Sequence, residues 1–280
     1  MTIGNAGNAA DDTGYGAVGY PYRIGVNEVS RGMIDVYNTL SGGPTLTMND
    51  MRSFGGNGSS RPATGLSWNE AARFVNWLNT STGFSEAYKF TTGLRNDNIA
   101  LWTIMDYGYN AANPFRNSNA NYFLPSEDEW YKAAYYDPNA NAGAGGYWNY
   151  ATGSDAVPTE VVGGTTNGTA VYGQSVVRSP ADITNAGGLS PYGTMAQNGN
   201  VFEWGESGFT APNDWAAEQR VIRGGFWQTN SDGLASANRN SLGPTAENDI
   251  AGFRVAAVPE PSASLLVIIG MMGFILRKTR

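Results

Sequence analysis

The chain has neither cysteine nor histidine in its 280 residues. Without thiols no disulfide forms. Without thiolates or imidazoles, zinc-finger, blue-copper and His-ligated iron sites are excluded. Cys-His and Ser-His-Asp catalysis fall with them. Lysine is scarce too, with three residues in all. Charged side chains make up only 15% of the chain, against about 25% in ordinary domains. The terminal bases Arg277, Lys278 and Arg280 mask part of the acidity. The remainder has 14 bases and 24 acids, a net charge of −10. A nucleic-acid surface needs clustered Lys and Arg, so that partner is excluded. Chemistry is left to Asp, Glu, Tyr, Ser, Thr, Arg, Lys, backbone groups or a borrowed cofactor.

What the chain does have is 37 glycines, 28 asparagines and 34 aromatic residues. An apolar fraction of 41% is enough for a sizeable core, so disorder is not expected over most of the length. Ser67-Trp68-Asn69-Glu70 reads as a capping box, the Ser accepting from a backbone N–H and the Glu reaching back. Ala71, Phe74, Val75 and Leu78 then recur at helical spacing, which predicts a helix ending near Asn79. Ser126-Glu127-Asp128-Glu129 is a second capping box, with Trp130, Ala133 and Ala134 as the buried face. A third helix is expected from Ser30 to Leu40, with Met33, Val36, Tyr37 and Leu40 on one side and Gly32 weakening it. Strands are expected to be short, around Tyr22–Val26, Thr169–Tyr172, Val201–Trp204, Val221–Gly224 and Gly252–Ala256. Residues 139–188 show almost no periodicity, so a bound ion or a closely packed loop scaffold must order them. The economical reading is one α+β domain over residues 1–257 and a separate segment over 258–280.

That segment is the least ambiguous part of the chain. Val258-Pro259-Glu260-Pro261-Ser262 precedes 14 uncharged, mostly apolar residues, Ala263 to Leu276, and Arg277-Lys278-Thr279-Arg280 closes it. As a helix the run spans roughly 21 Å, short of a hydrocarbon core of about 30 Å. It suits a transient stop, with the basic end held in the cytoplasm and the domain outside. Pro259, Glu260 and Pro261, the apolar run and the basic end together resemble the PEP-CTERM sorting signal of Gram-negative bacteria. The resemblance implies an exosortase-type membrane protease as partner, cleavage near Pro259–Pro261, and delivery to the envelope or an extracellular matrix. Export also requires an N-terminal signal, and Met1 to Asn8 offers neither a charged start nor an apolar stretch. The expectation is that the true start lies upstream.

Five segments, in order, resemble the formylglycine-generating enzyme (sulfatase-modifying factor) family. Arg61-Pro62-Ala63-Thr64 leads into Ser67-Trp68-Asn69-Glu70-Ala71-Ala72-Arg73-Phe74 and Trp77-Leu78-Asn79. Tyr122-Phe123-Leu124-Pro125-Ser126-Glu127-Asp128-Glu129-Trp130 follows, with Ala133-Ala134. Ser190-Pro191-Tyr192-Gly193-Thr194-Met195 runs into Gly199-Asn200-Val201-Phe202-Glu203-Trp204, which has Phe where the family has its first Trp. Arg220-Val221-Ile222-Arg223-Gly224-Gly225-Phe226-Trp227 and Ala251-Gly252-Phe253-Arg254-Val255 complete the set. The resemblance implies a loop-rich, C-type-lectin-like α+β fold with short strands and two or three helices, here with a C-terminal hydrophobic helix. From the residues themselves, Arg223 and Arg254 read as buried arginines paired with carboxylates, and Glu129 as a cap.

The resemblance also implies structural calcium, held by the carbonyls of Gly199 and Val201 and the carboxylate of Glu203. The family's further Asp or Asn is replaced by Ala196, with Gln197 or Asn198 as substitutes. The other reading of Glu203 is a salt bridge to a core arginine. A second site in the loops from Asn149 to Tyr172 would use Asn167. The family's oxidases hold copper through two cysteines, whose places fall near Thr229 and Leu234. Neither residue offers the soft thiolate that Cu(I) selects, so no copper and no formylglycine formation are expected. The functional expectation is an exported, non-catalytic domain that binds a polysaccharide or an envelope protein. Trp148, Tyr150, Trp215 and Trp227 are candidates for stacking on sugars. The alternative is an enzyme of this family with altered chemistry.

Overall fold

The structure, a computed structural model, describes residues 1–259 apart from 176, 177 and 211. Glu260, Pro261 and the apolar run expected to form a C-terminal helix lie outside the described residues. Among the described residues, no helix is long and apolar enough to cross a membrane.

Among the described residues, three helices of more than one turn start where capping chemistry places them. Helix α1 spans Arg31–Leu40, and Ser30 accepts a hydrogen bond from the Met33 N–H. Helix α2 spans Trp68–Ser81, and both halves of the Ser67–Glu70 capping box are made. Helix α3 spans Glu127–Tyr135 behind an equally complete Ser126–Glu129 box. Each such cap is worth about 1 kcal/mol.

The apolar side of α1 is not its buried side. Of the four residues expected on one side only Tyr37 is buried, while Met33, Val36 and Leu40 are 46%, 47% and 67% exposed. The buried side is Arg31, Ile34 and Tyr37. The N–H of Arg31 donates to Arg61 O and that of Gly32 to Ser59 O, both at 2.9 Å. Segment 59–61 therefore fixes the rotation of the helix. Tyr37 is turned onto α2, where its ring meets Phe74 and Trp77 at 6.1 and 5.6 Å.

Glycine, asparagine and proline interrupt the chain every few residues, so the strands are short. In chain order they are β1 (Thr2–Ile3), β2 (Tyr22–Ile24), β3 (Tyr122–Phe123), β4 (Tyr136–Asp137), β5 (Gly146–Tyr147) and β6 (Thr159–Glu160). They continue with β7 (Thr169–Ala170), β8 (Phe202–Gly208), β9 (Arg220–Arg223), β10 (Asn240–Leu242), β11 (Ala251–Gly252) and β12 (Ala256–Ala257). One four-stranded sheet has the order β1-β2-β12-β3 and another the order β10-β9-β8-β11. In the first, Ala256 pairs with Ile24 on one side and Phe123 on the other, both antiparallel. In the second, Glu203 of β8 stands opposite Arg223 of β9, and Ala251 of β11 pairs in parallel with Phe202.

The largest core cluster lies between α2 and the second sheet. It includes Trp68, Phe74, Phe115, Trp204 and Phe253, with α1 contributing Ile34 and Tyr37. The indole N–H groups of Trp68 and Trp204 donate to Gly205 O at 2.9 Å and Leu66 O at 3.1 Å. Both rings are thus buried without a lost hydrogen bond. Backbone bonds order residues 139–188. Strand β4 pairs with β5 and β6 with β7, and bridges join Gly164 to Ala186, Ala170 to Gly187 and Val171 to Gly199. These contacts supply the packed loop scaffold that the missing periodicity demanded. The result is a mixed α/β architecture with few helices and many short strands.

Candidate functional site

Glu203 lies on β8 and Arg254 in the segment between β11 and β12. Both are essentially inaccessible to solvent. The Arg254 guanidinium grips both oxygens of the Glu203 carboxylate, with Nη2 2.5 Å from Oε1. Trp130 of α3 donates its indole N–H to Oε2 at 2.7 Å. The remaining guanidinium hydrogens go to the carbonyls of Gly25, Val26 and Met195 at 2.8–3.1 Å. One ion pair thus joins α3, β8, the bend after β2 and the closing segment.

Beside it lies a second carboxylate. Glu28 is buried, and Asn200 Nδ2 donates to its two oxygens at 3.0 and 2.7 Å. Burial, and then the charge of Glu203, hold the Glu28 carboxyl well above the usual carboxylate range. Asn200 adopts a φ of +60°, and its Oδ1 accepts from the Ala181 N–H at 2.7 Å. Gly199, at φ +83°, has room for no side chain, because a Cβ there would run into Val171 O.

As arranged, these residues do not fit a calcium ion. Calcium takes 6–8 oxygens, and both oxygens of Glu203 already face a guanidinium. Gln197 turns inward, donating to Trp130 O at 3.1 Å. Asn198 donates to Leu234 O at 2.9 Å, and its buried Oδ1 has no partner among the described residues. Asn167 is exposed and lines a separate cavity with Asp137 and Asn139. Among the described residues no group of three or more acidic side chains is placed to hold a metal.

Thr229 and Leu234, near which the resemblance sets the family's cysteines, offer no copper ligand. Thr229 Oγ1 accepts from the Phe226 N–H at 3.0 Å. Leu234 is fully buried and packs with Tyr150, Ala170 and Tyr172. Its carbonyl accepts from Tyr135 Oη at 3.2 Å and from Asn198. Gly224 and Gly225 have φ values of +95° and +76°, and a Cβ on Gly225 would stand 2.8 Å from the Leu234 side chain. The glycine pair lets Leu234 close this region with hydrocarbon.

Two of the four aromatic candidates are corrected. Trp227 is buried, its ring packed on Phe54 and Phe226 at 5.8 and 5.3 Å. Tyr150 is buried in the Leu234 cluster. Neither can reach a ligand, because local core packing claims both rings. Trp148 is half-buried, with its indole N–H 3.3 Å from Asp137 Oδ2. Trp215 is 64% exposed.

Sequence reasoning missed one cleft. It is a cavity of about 670 Å³, and Asn213, Asn110 and Tyr20 line it. At its floor Arg116 Nη2 lies 3.0 Å from Glu206 and Nη1 lies 3.6 Å from Glu129. Burial disfavours the Arg116 charge, but Glu206 and Glu129 outweigh it and raise its pKa. Glu206 also accepts from Tyr88 Oη at 2.8 Å and Asn113 Nδ2 at 2.6 Å. Desolvation nevertheless raises its pKa. No local signal could have found this site, because its walls come from segments near residues 20, 110, 126, 207 and 258.

Comparison with known proteins agrees with this fold. The family model described as a sulfatase-modifying factor enzyme 1-like domain matches residues 8–258. A search of curated protein sequences gives no match. Among solved structures, the Treponema denticola variable protein 1 superposes with a TM-score of 0.60 at 20% identity, over 92% of this chain and 94% of that one. The structure of CarF superposes with a TM-score of 0.58 at 19% identity, over 86% of this chain and 87% of that one. At these identities the two structures speak for the fold alone. The family model spans most of the chain, and on that ground the chain belongs to the sulfatase-modifying factor (FGE-sulfatase) family.

Proposed function

We propose that this chain is an exported protein of the cell envelope or extracellular matrix, and that its sulfatase-modifying-factor domain binds a ligand instead of oxidising a cysteine. The observation that carries the proposal is the filling of the copper region. Thr229 and Leu234 stand where the resemblance puts two thiols, and Leu234 is sealed into hydrocarbon. A Cu(I) site there would need soft ligands that the chain does not contain. The decisive assay incubates the full chain with a sulfatase Cys-x-Pro-x-Arg peptide, copper and oxygen. No formylglycine is expected, and measurable turnover overturns the proposal.

Export rests on the Pro259-Glu260-Pro261 segment with its apolar run and basic end. Val258, directly after β12, is exposed. That exposure suits a cleavage point handed to an exosortase-type protease. The ligand expected in such a setting is a polysaccharide or another envelope polymer, and Trp215 is the candidate ring best placed to meet it.

A further inference from the structure

The cleft lined by Tyr20, Asn110 and Asn213 is built for one class of ligand. We propose that it binds an uncharged, hydroxyl-rich oligosaccharide. The inference rests on the binding-domain reading above and gives that reading a location.

Its volume, about 670 Å³, lies within the range of about 300–1,000 Å³ typical of ligand pockets. Tyr20 supplies the stacking surface. It is 48% exposed, yet its hydroxyl is tied to Glu129 Oε1 at 2.8 Å. A half-exposed ring fixed at one end presents area to the C–H face of a sugar with little entropy left to lose. Hydrogen-bonding atoms surround it. Asn110 uses Oδ1 to accept from the Ala112 N–H at 3.0 Å, and Asn213 uses Oδ1 to accept from the Gly208 N–H at 2.7 Å. Asp128 uses Oδ1 to accept from the Gly16 N–H at 2.8 Å. Among the described residues no partner takes up Asn110 Nδ2, Asn213 Nδ2 or Asp128 Oδ2. Each side chain is therefore anchored by one atom and offers the other, two as donors and one as an acceptor. Sugar hydroxyls both donate and accept, so they satisfy such a set.

Charge selects against the alternatives. Among the described residues Arg116 is the only base lining the cleft, and two carboxylates already hold it. Nothing is left to neutralise an anionic polymer, and the net −10 of the chain before its basic end repels one.

The test uses the full chain in mild detergent, titrated against dextran, a β-1,3-glucan, a mannan and a galactan, with a polyuronate as the anionic comparison. Saturable binding is expected to at least one neutral glycan, with none to the polyuronate. Asn110→Ala and Ala112→Trp are both exposed changes and should leave the melting temperature unchanged. Each should weaken that binding at least tenfold, Ala112→Trp by obstructing the cleft. Neutral-glycan binding undiminished in both variants overturns the site while leaving the binding function standing. No binding to any of the four glycans, or tighter binding to the polyuronate, overturns the ligand class. Formylglycine turnover in the separate assay is what would remove the underlying reading.

Discussion

Replacing Glu203 by Gln tests whether the Glu203–Arg254 pair holds the domain together. The substitution keeps the shape and removes the charge. Both residues are inaccessible to solvent, so Arg254 would remain buried without its counter-charge. Breaking such a pair by neutralising one partner costs about 3–5 kcal/mol. The lower end applies here for two reasons. Arg254 keeps three backbone carbonyls. It also lies near enough to Glu28 to favour that carboxylate's charge. A loss of about 3 kcal/mol lowers the melting temperature of a domain this size by roughly 6–12 °C. Thermal unfolding followed by near-UV circular dichroism, with and without EDTA, measures it, and urea unfolding at constant slope confirms the free energy. The reasoning is refuted if Glu203→Gln melts within about 2 °C of the wild type. It is equally refuted if calcium raises the wild-type melting temperature by several degrees and the variant's not at all. Glu203 would then serve a metal.

Two further predictions concern pH. Glu28 has a pKa raised by burial and by Glu203, so between the ordinary value of 4.5 and the raised one the folded state holds more protons than the unfolded state. Its contribution to stability is complete below the ordinary value and is lost as the pH rises toward the raised one. Glu28→Gln, neutral throughout, should therefore gain on the wild type in melting temperature between pH 5 and pH 8. An unchanged difference rejects the assignment. Lys132 behaves in the opposite sense, since burial lowers its pKa from 10.5 to about 8. Below about 8 the buried charge costs stability, and the cost disappears as the pH approaches 10.5. Lys132→Met should be stabilised at pH 7 by about 1–2 kcal/mol after solvent screening. It also loses the 2.9 Å bond to Asn5 O. The difference in melting temperature should shrink toward pH 10, and a difference that grows contradicts the assignment.

The helices were legible where local chemistry decides them. Both capping boxes formed at the residues that spelled them, because a cap needs only four consecutive residues. The rotation of α1 was not legible, because it depends on backbone bonds to residues 59–61. Spacing alone would bury Met33 as readily as Ile34. Arg223 and Arg254 were correctly read as carboxylate-paired, with Glu127 at 2.6 Å and Glu203 as the partners. A charged residue buried in the core requires such a partner. Strands were found but misjudged in length. The expected strand over Gly252–Ala256 is two separate pieces belonging to different sheets. Trp227 and Tyr150 were misassigned because an aromatic residue in a loop-rich stretch looks the same whether its ring faces water or core.

Strand β12 has a consequence for the order in which the molecule can be made. It sits between β2 and β3, which do not pair with each other. Arg254, just before it, also supplies the charge that Glu203 awaits. The first sheet thus has no centre, and the core a lone carboxylate, until residues 254–257 have left the ribosome and crossed to a strand formed more than two hundred residues earlier. Contacts of that separation are slow to form, and exposed strand edges invite aggregation in the meantime. A nascent chain stalled before Arg254 would therefore be a substrate for chaperones. Release of the final strand would be the step that commits it to its native shape.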